Sequence, residues 1–493
     1  MLRPWELEVE LKRDTNISIH VQIAQKIIEE IQQGRFAIGM ALPGTRELAK
    51  MLSVNRKTVV QAYEELIAQG WLNAENKRGT FVSSRTLSVS NLPKSEKKIN
   101  YGLKSKSKPE SIATQNKKYE NDIVSFSSGL PDTRLIPLET MSRAMRHALI
   151  ATTRTNKQSY NEPRGALILR QAILHMLNID RGLHADIDNI CVVRGGQMGF
   201  FLVARVLMRV GDNIVMENLC DQLVSDAFKS CGANIISVSQ NDNGINLDAL
   251  EALCINTKIR AVYISPHYQI PTTVSMPMAN RRRLLAMAEQ YDFLIIEDDH
   301  DFEFNFSNKP ILPLASIDKS SRVIYIGSLS KVLAPGFRIG FIAAHTEITK
   351  QFANEIMMID RQGNTVTELA VAELLHTGEI NRHTTKISKI YEERRMHTAK
   401  LIRDELKGYI EFKMPDGGLA LWLEVNPNIN MQMLVKDAEI EKVRVVTGSN
   451  FSVDNGQVSA IRLGFANLTT DEVNLGIKRL KNAFQRQASQ VLS

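Results

Sequence analysis

Apolar residues recur every fourth position at Ile19, Ile23, Ile27 and Ile31, with Ala24 and Ile28 beside them. That spacing predicts a helix with one apolar face, and Gly34 stops it. Leu42-Pro43-Gly44-Thr45-Arg46-Glu47-Leu48-Ala49 is predicted to start a second, short helix. Asn55 is placed to cap a third, running from Arg56 to about Gln69. In it Val59, Tyr63, Leu66 and Ile67 face inward, while Arg56, Lys57 and Thr58 fall in the exposed first turn. Gly70 ends that helix. Trp71-Leu72 and Gly79-Thr80-Phe81-Val82 then flank a basic turn at Lys77-Arg78, the pattern of a two-stranded wing. Residues 1–84 thus predict one module: helix, helix-turn-helix, wing.

The pattern lapses between Arg85 and Asp122. Runs such as Lys94-Ser95-Glu96-Lys97-Lys98 and Lys104-Ser105-Lys106-Ser107-Lys108 predict a flexible, self-repelling linker over 85–122. From Ile123 onward short apolar runs alternate with amphipathic helices. Ile190–Val193, Asn213–Met216, Ala261–Ile264, Phe293–Ile296 and Val323–Ile326 read as buried strands. Residues 123–493 are therefore expected to form an α/β domain around a mostly parallel sheet.

At 493 residues the chain is too long for one ordinary core. A hydrophobic content of 43% with 23% charged residues describes a globular protein. No apolar run is long enough to span a bilayer, and Met1-Leu2-Arg3-Pro4-Trp5-Glu6 lacks the apolar core of a secretory signal. Cys191, Cys220, Cys231 and Cys254 form no Cys-x-x-Cys pair, which argues against zinc or a disulfide framework and for a reducing cytoplasm. No metal site is expected. The net charge of +7 is uneven: through Asp122 there are 20 Lys and Arg against 14 Asp and Glu. A basic N-terminal module points to a polyanionic partner such as nucleic acid.

A recognition helix presents its first turn to base edges in the major groove. Arg56 can pair with guanine, Lys57 and Thr58 can reach bases or phosphates, and Lys77 and Arg78 can add phosphate contacts from the wing. The segments Leu42–Ala49, Val54–Val59, Gly70-Trp71 and Lys77–Val82 resemble the GntR-family winged helix over nearly all of residues 15–84. The resemblance implies contacts to operator DNA from Arg46, from the start of the recognition helix and from the wing.

In the second domain one stretch carries the chemistry. The strand ending at Ile296 runs into Glu297-Asp298-Asp299-His300, and the strand ending at Ile326 runs into Gly327-Ser328-Leu329-Ser330-Lys331. Arg338 and Gly340 follow. Both stretches sit at C-terminal strand ends, where open α/β sheets bind ligands. A pyridoxal 5'-phosphate (PLP) site needs a lysine for the Schiff base, a carboxylate for the pyridine nitrogen, and hydroxyls, N–H groups and an arginine for the phosphate. Lys331 suits the first role, Asp298 the second, and Ser328, Ser330 and Arg338 the third.

This joint pattern resembles fold-type I aminotransferases, and its fusion to a winged helix resembles the MocR/GabR regulators. The resemblance implies further roles. Tyr160, in Tyr160-Asn161-Glu162-Pro163-Arg164-Gly165, would reach the PLP phosphate of a partner subunit. Gly196 and Gln197, in Gly195-Gly196-Gln197, would form the phosphate-binding turn, and Ser265-Pro266 through Thr272 the loop beside the ring. Arg462, in Ile461-Arg462-Leu463-Gly464-Phe465, would grip a substrate carboxylate. It also implies a smaller C-terminal α+β subdomain. Two positions depart from the family. His300 stands where a tyrosine usually meets the PLP 3-oxygen, and Asp221 replaces the aromatic residue that stacks on the ring. A carboxylate beside a dianionic cofactor is unfavourable unless it turns away.

The function these observations predict is a DNA-binding transcriptional regulator whose PLP-bound domain senses an amino compound or PLP itself. At most residual transaminase activity is expected, given Asp221 and His300. The alternatives are an active aminotransferase carrying a DNA-binding domain, and a repressor whose large domain is only a dimerisation scaffold. Double-stranded operator DNA and a homodimer are the expected partners, the dimer head-to-tail by resemblance. A cytoplasmic location with no membrane partner is expected.

Overall fold

The computed structural model describes residues 11, 17–76, 78–84, 122–126, 129–154, 161–307 and 312–491. Lys77, Tyr160 and all of the predicted linker except Asp122 lie outside them. The chain divides into two compact units, Met1–Lys117 and Lys118–Ser493. Among the described residues no helix is long and apolar enough to cross a membrane.

In the first unit, α1 (Ile19–Gln32), α2 (Thr45–Met51) and α3 (Arg56–Ala68) are followed by a hairpin of β1 (Leu72–Glu75) and β2 (Gly79–Val82). Ile23, Ile27, Leu48, Val59, Tyr63, Leu66 and Leu72 bury together as its core, each contributing roughly 1.5–3 kcal/mol. The second helix begins at Thr45, later than the hydrophobic pattern alone suggests. Leu42–Gly44 is held by the rest of the unit: the Leu42 N–H donates to the Thr80 carbonyl of the wing at 2.8 Å, and the Tyr63 hydroxyl donates to the Pro43 carbonyl at 2.9 Å. Asn55 caps α3, its side chain accepting the Lys57 N–H at 2.9 Å.

The second unit is built on a seven-stranded sheet. Its strands are β3 (Ile190–Val193), β4 (Asn213–Glu217), β5 (Asn234–Val238), β6 (Ala261–Ile264), β7 (Leu294–Asp299), β8 (Val323–Ser328) and β9 (Gly340–Ala343). They lie in the order β3-β9-β8-β7-β6-β4-β5, and every pairing is parallel except the two made by β9. β3, β6 and most of β7 and β8 are buried along their length, because helices cover both faces. A smaller four-stranded antiparallel sheet contains β10 (Ala420–Val425) and β11 (Ala460–Gly464), in which Trp422 lies directly opposite Arg462. The C-terminal ends of β7 and β8, held side by side in register, put the residues after Ile296 and Ile326 at one edge.

Candidate functional site

Successive side chains of a strand point to opposite faces, and this sorts the acids of β7. Asp298 turns to one face, where its Oδ2 accepts the Tyr263 hydroxyl at 2.8 Å and lies 3.5 Å from the Ser265 hydroxyl. Glu297 and Asp299 turn the other way. Glu297 accepts the backbone N–H groups of Leu314 and Ala315 at 2.7 and 2.9 Å. Burial, together with the charge of Asp299, pushes Glu297 up to about 8.

Asp299 is the centre of a buried ionic cluster. Its carboxylate lies 3.3 Å from His267 Nδ1 and 3.8 Å from Arg181, and it accepts the Tyr325 hydroxyl at 2.5 Å. Burial alone would raise this carboxyl, but the charge and hydrogen bond of His267, with Arg181 and Tyr325, bring it down to about 2. Arg181 also binds Glu303 and lies over the Phe302 ring at 4.4 Å. Arg281 closes the far side. It donates to the carbonyls of Pro266, Met276 and Leu312 and meets His267 Nε2 at 2.8 Å, which clamps the loop that follows β6.

On the Asp298 side, Lys331 and Asp298 come together around His300 and Asp301. The His300 ring lies 3.6 Å from Asp298 through Nδ1 and 3.4 Å from Asp301 through Nε2. Both ring nitrogens are buried and make no hydrogen bond, nor does the Tyr268 hydroxyl. Lys331 Nζ donates to Asp301 Oδ1 at 2.6 Å. Burial pushes the Asp301 carboxyl up, but Lys331, His300 and Arg462 more than offset it and hold it below the usual carboxylate range.

The residues expected from the sequence to hold a phosphate lie one strand over. Ser328 lies opposite Gly340 in the sheet, and its hydroxyl is 3.0 Å from that of Ser330. Gly340 in turn abuts Gly195 and Gly196 so closely that a Cβ there would come within 2.8 Å of the Gly195 backbone. Gly195 opens α4 (Gly195–Leu207), whose N-terminus has no side-chain cap. Arg338, held in a left-handed conformation at φ 52°, lies against that turn and donates to the Arg194 carbonyl at 3.0 Å. A Cβ at Gly195 would meet its guanidinium at 2.9 Å. An uncapped helix start, two hydroxyls and a guanidinium make an anion cradle. The Gln197 side chain is tied to the Leu223 carbonyl at 2.9 Å.

Arg462 is fully buried on β11 and donates to the Pro271 carbonyl at 2.6 Å. Burial lowers it to about 10, opposed by the charges of Asp301 and Asp221. Asp221 does not stack on anything. It caps α5 (Gln222–Ser230), its Oδ1 accepting the Leu223 N–H at 2.9 Å. Burial raises its carboxyl, and the charge of Asp298 raises it further. Tyr160 lies outside the described residues, but the chain just after it is docked: the Asn161 side chain donates to Thr365 at 2.9 Å, and a Cβ at Gly165 would collide with Val192.

In the first unit Arg46, Arg56 and Lys57 are exposed, and Thr58 is half-buried. Arg56 Nε is 3.4 Å from the Thr45 hydroxyl, and Arg78 pairs with Glu75 at 2.8 Å across the wing turn. Sequence reasoning did not single out Asp301, Tyr263 or the Arg181–Asp299–His267 cluster as site residues. The alternation along β7 could have separated Asp298 from Asp299, but no local signal announces the partners that each meets.

The fold and site together define a winged-helix reader of DNA joined to a domain of aminotransferase architecture. The chain belongs to the aminotransferase class I and II family, whose model matches residues 121–480, and residues 19–82 match the bacterial regulatory proteins of the gntR family. Relatives share both parts. The Bacillus subtilis protein named "Uncharacterized HTH-type transcriptional regulator YdfD" is 27% identical over 97% of this chain and 99% of its own length. The Rhizobium meliloti "Probable rhizopine catabolism regulatory protein MocR" is 26% identical over 96% and 95%. Among solved structures, the α-aminoadipate aminotransferase LysN of Thermus thermophilus, complexed with N-(5'-phosphopyridoxyl)-L-leucine, superposes with a TM-score of 0.69 at 26% identity, covering 75% of this chain and 94% of its own.

Proposed function

We propose that this chain is a transcriptional regulator that binds operator DNA through its N-terminal unit and reports the ligand state of a PLP site in its second unit. The observation that carries the reading is the convergence of Lys331, Asp298 and His300 with the Ser328–Ser330–Arg338 cradle, on a chain whose α3 exposes Arg56 and Lys57.

The residues fit PLP. Buried His300 nitrogens without a protein hydrogen-bond partner, and an uncapped helix start near two hydroxyls and a guanidinium, suit a polar, anionic ligand. The cofactor supplies an aldehyde and an electron-withdrawing ring. Lys331 would hold it covalently, and Asp298, steadied by Tyr263, would keep a proton on the ring nitrogen. His300 would donate to the 3-oxygen in place of the family's tyrosine. The N–H groups of Gly196 and Gln197, the hydroxyls of Ser328 and Ser330 and the guanidinium of Arg338 would hold the phosphate, with Tyr160 reaching in from a second subunit. Arg462 would favour a carboxylate-bearing amine.

On DNA, Arg56, Lys57 and Thr58 would enter the major groove while Arg46, Lys77 and Arg78 contact phosphates. A homodimer would present two reading heads to paired half-sites, working in the cytoplasm where the DNA is. The units 1–84 and 123–493, joined by 85–122, would act as reader, sensor and tether. The test is an absorbance spectrum of the purified protein with PLP and candidate amines, paired with operator binding in the same solutions. Spectral changes that track changes in operator affinity support the reading. An operator affinity indifferent to every spectral change contradicts it.

A further inference from the structure

Asp301 accepts a 2.6 Å hydrogen bond from Lys331, and the PLP reading above gives it no role. Its Oδ1 takes the Lys331 ammonium, while Oδ2 is buried without a hydrogen bond, 3.4 Å from His300 Nε2. The carboxylate is 1% exposed, so water does little to screen the pair. The pair has a chemical consequence. A lysine bonds to a carbonyl carbon only as the neutral amine, and a buried carboxylate at hydrogen-bond distance stabilises the ammonium instead.

We propose that Asp301 is an internal counter-ion that competes with the cofactor for Lys331 and so makes occupancy of the site reversible, a proposal that rests on the PLP reading above. The step balances. The Lys331 ammonium, whose side chain is partly open to solvent, gives up one proton to water, and the neutral amine forms a C=N bond with the aldehyde carbon. The aldehyde oxygen leaves as water with the two remaining amine hydrogens. Asp301 is thus a positioning residue: it sets how readily Lys331 is available. Occupancy that rises and falls with cofactor supply is what a sensor needs and a committed enzyme does not.

The experiment uses the full chain stripped of cofactor and titrated with PLP. Bound PLP is measured by ultrafiltration, and borohydride reduction with peptide mass analysis locates the adduct. Losing one charged hydrogen bond is worth about tenfold or more, so Asp301→Asn is expected to bind PLP about tenfold more tightly and link it faster. Asp301→Glu is expected to stay near wild type. Should Asp301→Asn not fold, Asp301→Ser makes the same test. A purely structural role predicts the opposite sign, a loss of affinity. Equal or weaker binding by the neutral variants, with the adduct still on Lys331 in every protein, overturns the counter-ion role alone. Absence of any Lys331 adduct in wild type overturns the PLP reading and this role with it.

Discussion

The two units hold their working charges in opposite ways. On α2, α3 and the wing, Arg46, Arg56, Lys57 and Arg78 stand in water, and among them the one close ion pair is the local one between Arg78 and Glu75. Around β7, Asp298, Asp299, Asp301, Arg181 and Arg462 are almost wholly buried, and their partners come from distant parts of the chain. A solvated cation costs little to keep and acts at a distance that salt shortens. A buried charge is tolerable only while its partners stay in place. The first arrangement suits a surface that must find and leave a polyanion. The second suits a site whose geometry must change when one small ligand enters.

That contrast can be broken most forcefully at Arg181. Replacing it with Met leaves buried Asp299 and half-buried Glu303 without this cation, and the second unit is expected to lose about 3–5 kcal/mol. Urea unfolding followed by a probe in each unit should show the loss in the second unit only. Equal loss in both would end the distinction.

A second test is the pH dependence of the second unit. Burial pushes Glu217 up to about 8, so the folded state keeps a proton that the unfolded state releases near the ordinary glutamate value. Between those limits the unfolded chain binds fewer protons, and stability must fall as pH rises, by at most about 1.4 kcal/mol per pH unit from this group. Glu217→Gln should flatten that slope. Asp299 has the opposite sign: its contribution is full above the unfolded value near 4 and is lost as pH falls toward about 2.

In the first unit the expected effects are smaller and of another kind. Arg56→Ala should weaken operator binding by about 1–3 kcal/mol and relax the preference at one base pair, without moving the unfolding midpoint. Asn55→Ala removes the cap that accepts the Lys57 N–H and should lower the stability of this unit by about 1 kcal/mol, read from its own thermal transition.

What could be read from the sequence follows the same divide. The helices, the Asn55 cap and the wing strands are set by neighbours a few residues apart, so periodicity and turn residues reveal them. The exception is Leu42–Gly44, where hydrogen bonds to Thr80 and Tyr63 override the helical pattern. The strand ends carrying Asp298 and Lys331 were also legible, because buried strands are continuous apolar runs. Asp301 was not, since strand alternation stops at Asp299 and nothing local says where a side chain beyond it points. Arg181, His267 and Arg281 reach Asp299 and its surroundings from three separate segments, and only the folded chain assembles them.

The most direct test of a reader coupled to a sensor is operator binding by the full chain, measured with and without PLP, for wild type and Lys331→Ala. Coupled sites typically differ by about 5–150-fold, and a change of that size on adding PLP is predicted for wild type. The Lys331→Ala variant is predicted to bind operator and ignore PLP. An identical wild-type affinity in both solutions, or a variant that responds as wild type does, would contradict the account.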